Sequence, residues 1–95
     1  MTKLNNINDI RIEIDKIDLK ILNLLSDRKD LVTQVIKFKN RNQIVDQKRI
    51  DEIFVRLDKE AKKRGVSQIL VRSLWKTMID SFISYEEEIF DKTQK

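Results

Sequence analysis

Apolar residues recur along the first part of the chain at Ile7, Ile10, Ile14, Ile17, Ile21 and Leu24, pass through Arg28, and resume at Leu31, Val35 and Phe38. These alternating steps of three and four form a heptad seam, the mark of a helix that lays one apolar stripe against another. Neither Gly nor Pro falls between Leu4 and Lys39. The pattern therefore predicts one helix over about residues 4–39, roughly 50 Å long at 1.5 Å per residue. A compact globule of 95 residues has a radius of gyration near ~12 Å. One chain cannot cover such a rod, and an intertwined homodimer, with the long helices of two copies packed together, is the natural way to bury the seam.

The periodicity breaks at Asn40, Asn42 and Gln43, which predicts a short loop over residues 40–45 with Asp46 as the next N-cap. A second helix, about 47–64, buries Ile50, Ile53, Phe54, Leu57 and Ala61. Its end is well marked. Lys62, Lys63 and Arg64 lie at the negative end of the dipole, and Gly65, the single glycine, follows at C′. Ser67 then caps a third helix, about 68–91, with Val66 placed to staple onto Val71. The third stripe is Val71, Leu74, Trp75, Met78, Ile79, Phe82, Ile83, Ile89 and Phe90. The expected fold class is all-α, three helices in the order long, short, long, forming a single domain over 1–95 that frays near Met1 and Lys95.

Composition sharpens this. Pro, Cys and His are absent, which removes disulfides, Cys/His zinc sites, thiol nucleophiles and Ser-His-Asp arrangements. With one Gly there is no phosphate loop either. Any chemistry must come from carboxylates, Lys, Arg, amides or hydroxyls, and neither metal nor cofactor is expected. Charged residues make up 38% and hydrophobic ones 40%, a balance that suits a strongly amphipathic helical protein. A net charge of +4 favours anionic partners. The cations are spread over all three helices and no recognition motif appears, so a nucleic-acid partner is not expected. No apolar run approaches a membrane span and Met1 to Ile10 lack the apolar stretch of a secretory signal, so the expected location is the cytoplasm, away from membranes.

Two ionisable side chains interrupt apolar stripes: Arg28 in the seam, and Glu86 between Phe82 and Phe90. Buried and unpaired, either would be costly. Arg28 is equally well read as a register-fixing polar residue, and Glu86 alone is better read as one of the surface run Glu86, Glu87, Glu88. On a continuous helix Lys39 lies three turns plus about 20° beyond Arg28, so both cations would share a face and flank one pocket. Its plainer reading is a cation offsetting the helix dipole with Lys37 and Arg41. Arg11 is too far before Arg28 to share a small ligand within one chain, but an antiparallel second copy would bring its own Arg11 opposite the stretch between Arg28 and Lys39. Arg11 also reads as a solvated partner of Asp15. Asp46 and Arg49 at the start of the second helix read, by themselves, as a cap and a local ion pair.

Together the stretches Asp9-Ile10-Arg11, Asp15-Lys16-Ile17-Asp18, Leu24-Leu25-Ser26-Asp27-Arg28-Lys29, Lys37-Phe38-Lys39 and Asp46-Gln47-Lys48-Arg49 resemble the all-helical chorismate mutase family, the AroQ class. The likeness extends over about residues 5 to 90. It implies an intertwined homodimer with two active sites, a small dicarboxylate substrate, and no cofactor. By position, Arg11 would reach into the other subunit's site to hold a substrate carboxylate, and Arg28 and Arg49 would bind carboxylates within the subunit. Lys39 would donate to the ether oxygen and a carboxylate, Asp46 would meet the ring hydroxyl, and Ile50, Phe82 and Glu86 would complete the substrate-binding set.

The implied reaction, chorismate to prephenate, breaks a carbon–oxygen bond as a carbon–carbon bond forms within one molecule. It needs positioning and electrostatic stabilisation rather than a nucleophile. Two positions depart from the family's usual pattern. Ile50 stands where chorismate mutases usually carry a Glu, a feature of relatives that act as isochorismate-pyruvate lyase or 4-amino-4-deoxychorismate mutase. Glu86 stands where bacterial mutases typically have a Gln that donates to the ether oxygen, so Glu86 would have to be protonated. Burial between Phe82 and Phe90 favours that and Lys39 opposes it. The non-enzymatic alternative is a helical dimerisation module.

Overall fold

A computed structural model describes residues 5–93. The first helix begins at an asparagine cap: Asn6 Oδ1 accepts the Asp9 N–H at 3.0 Å, and Ile10 N–H donates to the Asn6 carbonyl at 3.3 Å. From there α1 runs Ile7–Val35. The predicted start near Leu4 and the frayed ends near Met1 and Lys95 lie outside the described residues. At Ile36–Phe38 the backbone tightens into a 3-10 turn, a frequent way for an α-helix to end. Lys39 follows with extended dihedrals, φ −104° and ψ 144°. The continuous helix predicted to residue 39 therefore stops short, and helical phase from Arg28 does not reach Lys39.

The 40–45 stretch is more ordered than a plain loop. Arg41–Gln43 form a second 3-10 turn, and Ile44 just beyond it is buried. Asp46 then caps α2, Gln47–Arg64, with its Oδ1 accepting the Arg49 N–H at 3.0 Å. The α2 C-terminus is a Schellman motif. Gly65 has φ +66°, its N–H donates to the Lys62 carbonyl at 3.2 Å, and Val66 N–H reaches back to the Ala61 carbonyl at 2.9 Å. Ser67 Oγ accepts the Leu70 N–H at 3.2 Å, and α3 runs Gln68–Thr93. These three helices, α1, α2 and α3, with no strand among the described residues, make an all-α fold.

The chain divides into two compact units, Met1–Leu31 and Val32–Lys95. In the first, the seam residues Ile7, Ile10, Ile14, Ile17, Ile21, Leu24 and Leu31 are all exposed, and α1 buries none of its residues. The second unit holds the core: Ile36, Ile44, Ile53, Ala61 and Ile79. There α2 packs on α3, with Phe54, Leu57, Trp75 and Met78 half-buried around the central residues. Leu74, predicted on the buried stripe, is 56% exposed. Adjacent residues project about 100° apart on a helix, and it is Trp75, half-buried, that lines a shallow hollow with Leu57 and Ala61.

A polar clamp joins the same two helices. Arg72 donates to Asp58 through Nε at 2.9 Å and Nη2 at 2.6 Å, and its guanidinium lies 5.2 Å from the centre of the Phe54 ring. The Arg72 hydrogen bond holds the Asp58 carboxyl below the usual carboxylate range, and Asp58 in turn raises Arg72. Gln68 Nε2 adds a bond to the Asp58 carbonyl at 3.2 Å. Among the described residues no helix is long and apolar enough to cross a membrane.

Candidate active site

Lys39 and Glu86 meet although 47 positions separate them. Nζ of Lys39 donates to Oε1 of Glu86 at 3.0 Å. The Glu86 side chain is 8% exposed and that of Lys39 24%. Glu86 is thus no member of a solvated run; it is the one charged residue buried among the described residues. The reason is geometric. Glu86 lies four residues after Phe82 and four before Phe90, so it shares their face of α3, while Glu87 and Glu88 turn away from it. Lys39 reaches Glu86 because the chain leaves the helix just before it, not because it stays on the face of Arg28. Its plainer reading, a cation at a helix end, gives way to a paired and largely enclosed ammonium.

The neighbourhood is amphipathic. Phe82 is half-buried one turn before Glu86, and its ring meets that of Tyr85 edge-on with centroids 6.4 Å apart. Thr33 Oγ1 and Tyr85 Oη lie 2.9 Å apart and share a hydrogen bond. An ammonium carries three donors. With one directed at Glu86, Lys39 retains donors for an anionic or ether oxygen brought beside it. In its neutral form the Glu86 carboxyl would itself supply an O–H donor to the same oxygen.

The other predicted site residues fall in three places. Asp46, Arg49 and Ile50 occupy the start of α2, the first two exposed and Ile50 half-buried. The Asp46 carboxylate is partly committed as the helix cap, yet retains lone pairs for a further donor. Arg28 is half-buried and Arg11 exposed on α1, both in the first unit. A hollow of about 680 Å³ lies elsewhere, along Lys48, Asp51, Glu52, Val55, Arg56 and Lys59 of α2, and includes none of the candidate residues. No group of His, Cys, Asp and Glu among the described residues has the arrangement to hold a metal ion.

Sequence reasoning passed over Ile36, Ile44, Thr33, Tyr85 and Arg41, all of which bracket the Lys39–Glu86 contact. Ile44 alone gave a signal, as half of the apolar pair Ile44-Val45 set among polar neighbours.

The chain is thus all-helical over its described residues, with one enclosed Lys–Glu contact, Lys39–Glu86. Residues 10–87 match the family described as chorismate mutase type II. The chain is also 30% identical over 88 residues to the chorismate mutase of Methanocaldococcus jannaschii, an alignment spanning 90% of this chain and 89% of that protein. This chain belongs to the chorismate mutase type II family.

Proposed function

We propose that this chain is a chorismate mutase, rearranging chorismate to prephenate at a site built around Lys39 and Glu86. The observation that carries the reading is the enclosed Lys39–Glu86 contact at 3.0 Å, inside the span that matches the family. Chorismate carries two carboxylates and an enolpyruvyl ether. Arg28 and Arg49 hold the carboxylates, each able to donate through a planar fork, and keep the enolpyruvyl arm over the ring as a near-attack conformer. As the carbon–oxygen bond lengthens, negative charge grows on the ether oxygen. Lys39 donates there and stabilises the transition state more than the ground state. Glu86 donates to the same oxygen when protonated, Asp46 accepts from the ring hydroxyl, and Ile50 and Phe82 pack against the substrate. The bond breaking and the bond forming occur in one molecule, so no group enters or leaves.

The active assembly is a homodimer in which Arg11 of the partner subunit reaches the substrate, and the units Met1–Leu31 and Val32–Lys95 act as one catalytic domain. The exposed seam supports this. A helix of 29 residues, about 44 Å long, has seven apolar seam residues in the first unit and buries none of them within its own chain. A core of four isoleucines and one alanine is small for a chain of 95 residues, and a second copy would supply the missing apolar contact.

The test is to supply chorismate, isochorismate and 4-amino-4-deoxychorismate separately and to identify the products. Prephenate from chorismate is expected. Pyruvate with salicylate from isochorismate, or 4-amino-4-deoxyprephenate from the amino compound, with chorismate untouched, would reassign the substrate and make Ile50 the first place to look. For the dimer, Arg11→Ala and Arg28→Ala are each expected to be inactive. Refolding the two together in equal amounts should restore about a quarter of wild-type activity, since half the dimers are hybrid and each hybrid has one intact site. No recovery would place Arg11 outside the partner's site.

A further inference from the structure

Helical phase does not set where the Lys39 ammonium falls, because Lys39 lies beyond the end of α1 in extended backbone. The segment that carries it is held to α3 on both sides instead. Upstream, Thr33 and Tyr85 share their 2.9 Å hydrogen bond. Downstream, Arg41 forms an ion pair with Asp91 and a longer one with Glu87 at 3.9 Å, two carboxylates one turn apart on α3. The link between Lys39 and Arg41 is stiff: Asn40 N–H donates to Gln43 Oε1 at 2.7 Å, and Gln43 N–H returns to the Asn40 carbonyl at 2.9 Å. Ile36 and Ile44, 2% and 4% exposed, close the segment at either side.

These contacts divide the work. The isoleucines fix how deeply the segment sits, but apolar burial is non-directional and does not choose its register along α3. Polar contacts do. A slip of one helical turn, about 5.4 Å, would carry Lys39 out of hydrogen-bond reach of Glu86. We propose that Arg41 is a positioning residue: by engaging Glu87 and Asp91 it fixes the register of the Lys39-bearing turn on α3 and so aims the ammonium at the reacting oxygen. The proposal rests on the reading of Lys39 as the donor to the ether oxygen.

All three side chains of this pin are about half exposed. Exposed ion pairs add little to global stability, so the effect should appear in turnover and not in melting. The experiment measures kcat, KM and Tm with chorismate for Arg41→Ala, Arg41→Lys, Lys39→Ala and the double variant Arg41→Ala/Lys39→Ala. Arg41→Ala is expected to lower kcat about tenfold, since misplacing a catalytic group acts on the chemical step, with KM and Tm close to wild type. Arg41→Lys should recover part of the loss, and Arg41→Ala should cost nothing further on the Lys39→Ala background. Glu87→Gln/Asp91→Asn removes the same pin from α3 and should reproduce the drop in kcat. An unchanged kcat in Arg41→Ala, or losses that multiply in the double variant, overturns the positioning role while leaving Lys39 in place. A Lys39→Ala enzyme with wild-type kcat overturns the reading of Lys39 itself, and the proposal with it.

Discussion

Two ion pairs in the second unit link distant parts of the chain to α3, and they are built in opposite ways. Asp58 and Arg72 have the better geometry: two short bonds at 2.6 and 2.9 Å, with the guanidinium beside an aromatic ring. The fork meets one carboxylate bidentately, and the site is open to solvent. Lys39 and Glu86 make a single bond at 3.0 Å, but the carboxylate is buried. Geometry alone would choose the first pair as the functional one. The second is the better candidate because burial raises the cost of each charge and strengthens its effect on anything that enters, and because the ammonium still has donors to give. A well-made contact between helices secures the fold; an enclosed and incompletely used one is equipped for a substrate.

The largest effect should come from breaking the enclosed pair. Lys39→Ala is expected to lower kcat/KM by about a thousandfold, the scale of losing a donor to developing negative charge. Arg72→Ala should leave kcat/KM within about twofold of wild type while lowering Tm. Steady-state kinetics and thermal melts on both variants check the contrast, and comparable kinetic losses in the two would erase it.

Next comes the acid of the pair. Glu86→Gln keeps a side-chain donor at this place and should hold kcat/KM within about tenfold of wild type, whereas Glu86→Ala should lose about a hundredfold. Equal kinetic losses in the two variants remove Glu86 from the donor role.

The smallest effect belongs to the exposed clamp. Arg72 holds the Asp58 carboxyl below its ordinary range in the folded protein, so the unfolded chain takes up that proton more readily. The stabilisation is present above the ordinary carboxylate range, near about pH 4, and is lost as pH falls through the lowered value. Melting curves between acid and neutral pH should therefore converge for wild type and Asp58→Asn at the acid end and separate toward neutrality. A constant offset would mean that the charge of Asp58 contributes nothing.

Much of the fold was legible because helix ends are local. Asp46, Gly65 and Ser67 each satisfy backbone groups within a few residues of themselves, so their types and spacing were enough. The family, too, could be read from short stretches around Arg11, Arg28, Lys39 and Arg49. The site was less legible. Glu86 sits among three glutamates, and no periodicity distinguishes the buried one from its neighbours without knowing what packs on α3. Arg41 looked like one more cation at a helix end, and Tyr85 and Thr33 carried no pattern at all. The predicted run of helix to Lys39 failed for a related reason. The chain leaves the helix where Ile36 and Ile44 enter the core, and that exchange is settled by packing and not by local propensity.

The sequence by itself determined three amphipathic helices, their caps and the kind of chemistry open to a chain without His or Cys, because those follow from spacing and residue type. Only the tertiary structure decided which acid is enclosed and which cation meets it. Contacts across 47 positions depend on how surfaces fit, and burial, which sets the strength of a charge, is a property of the folded whole.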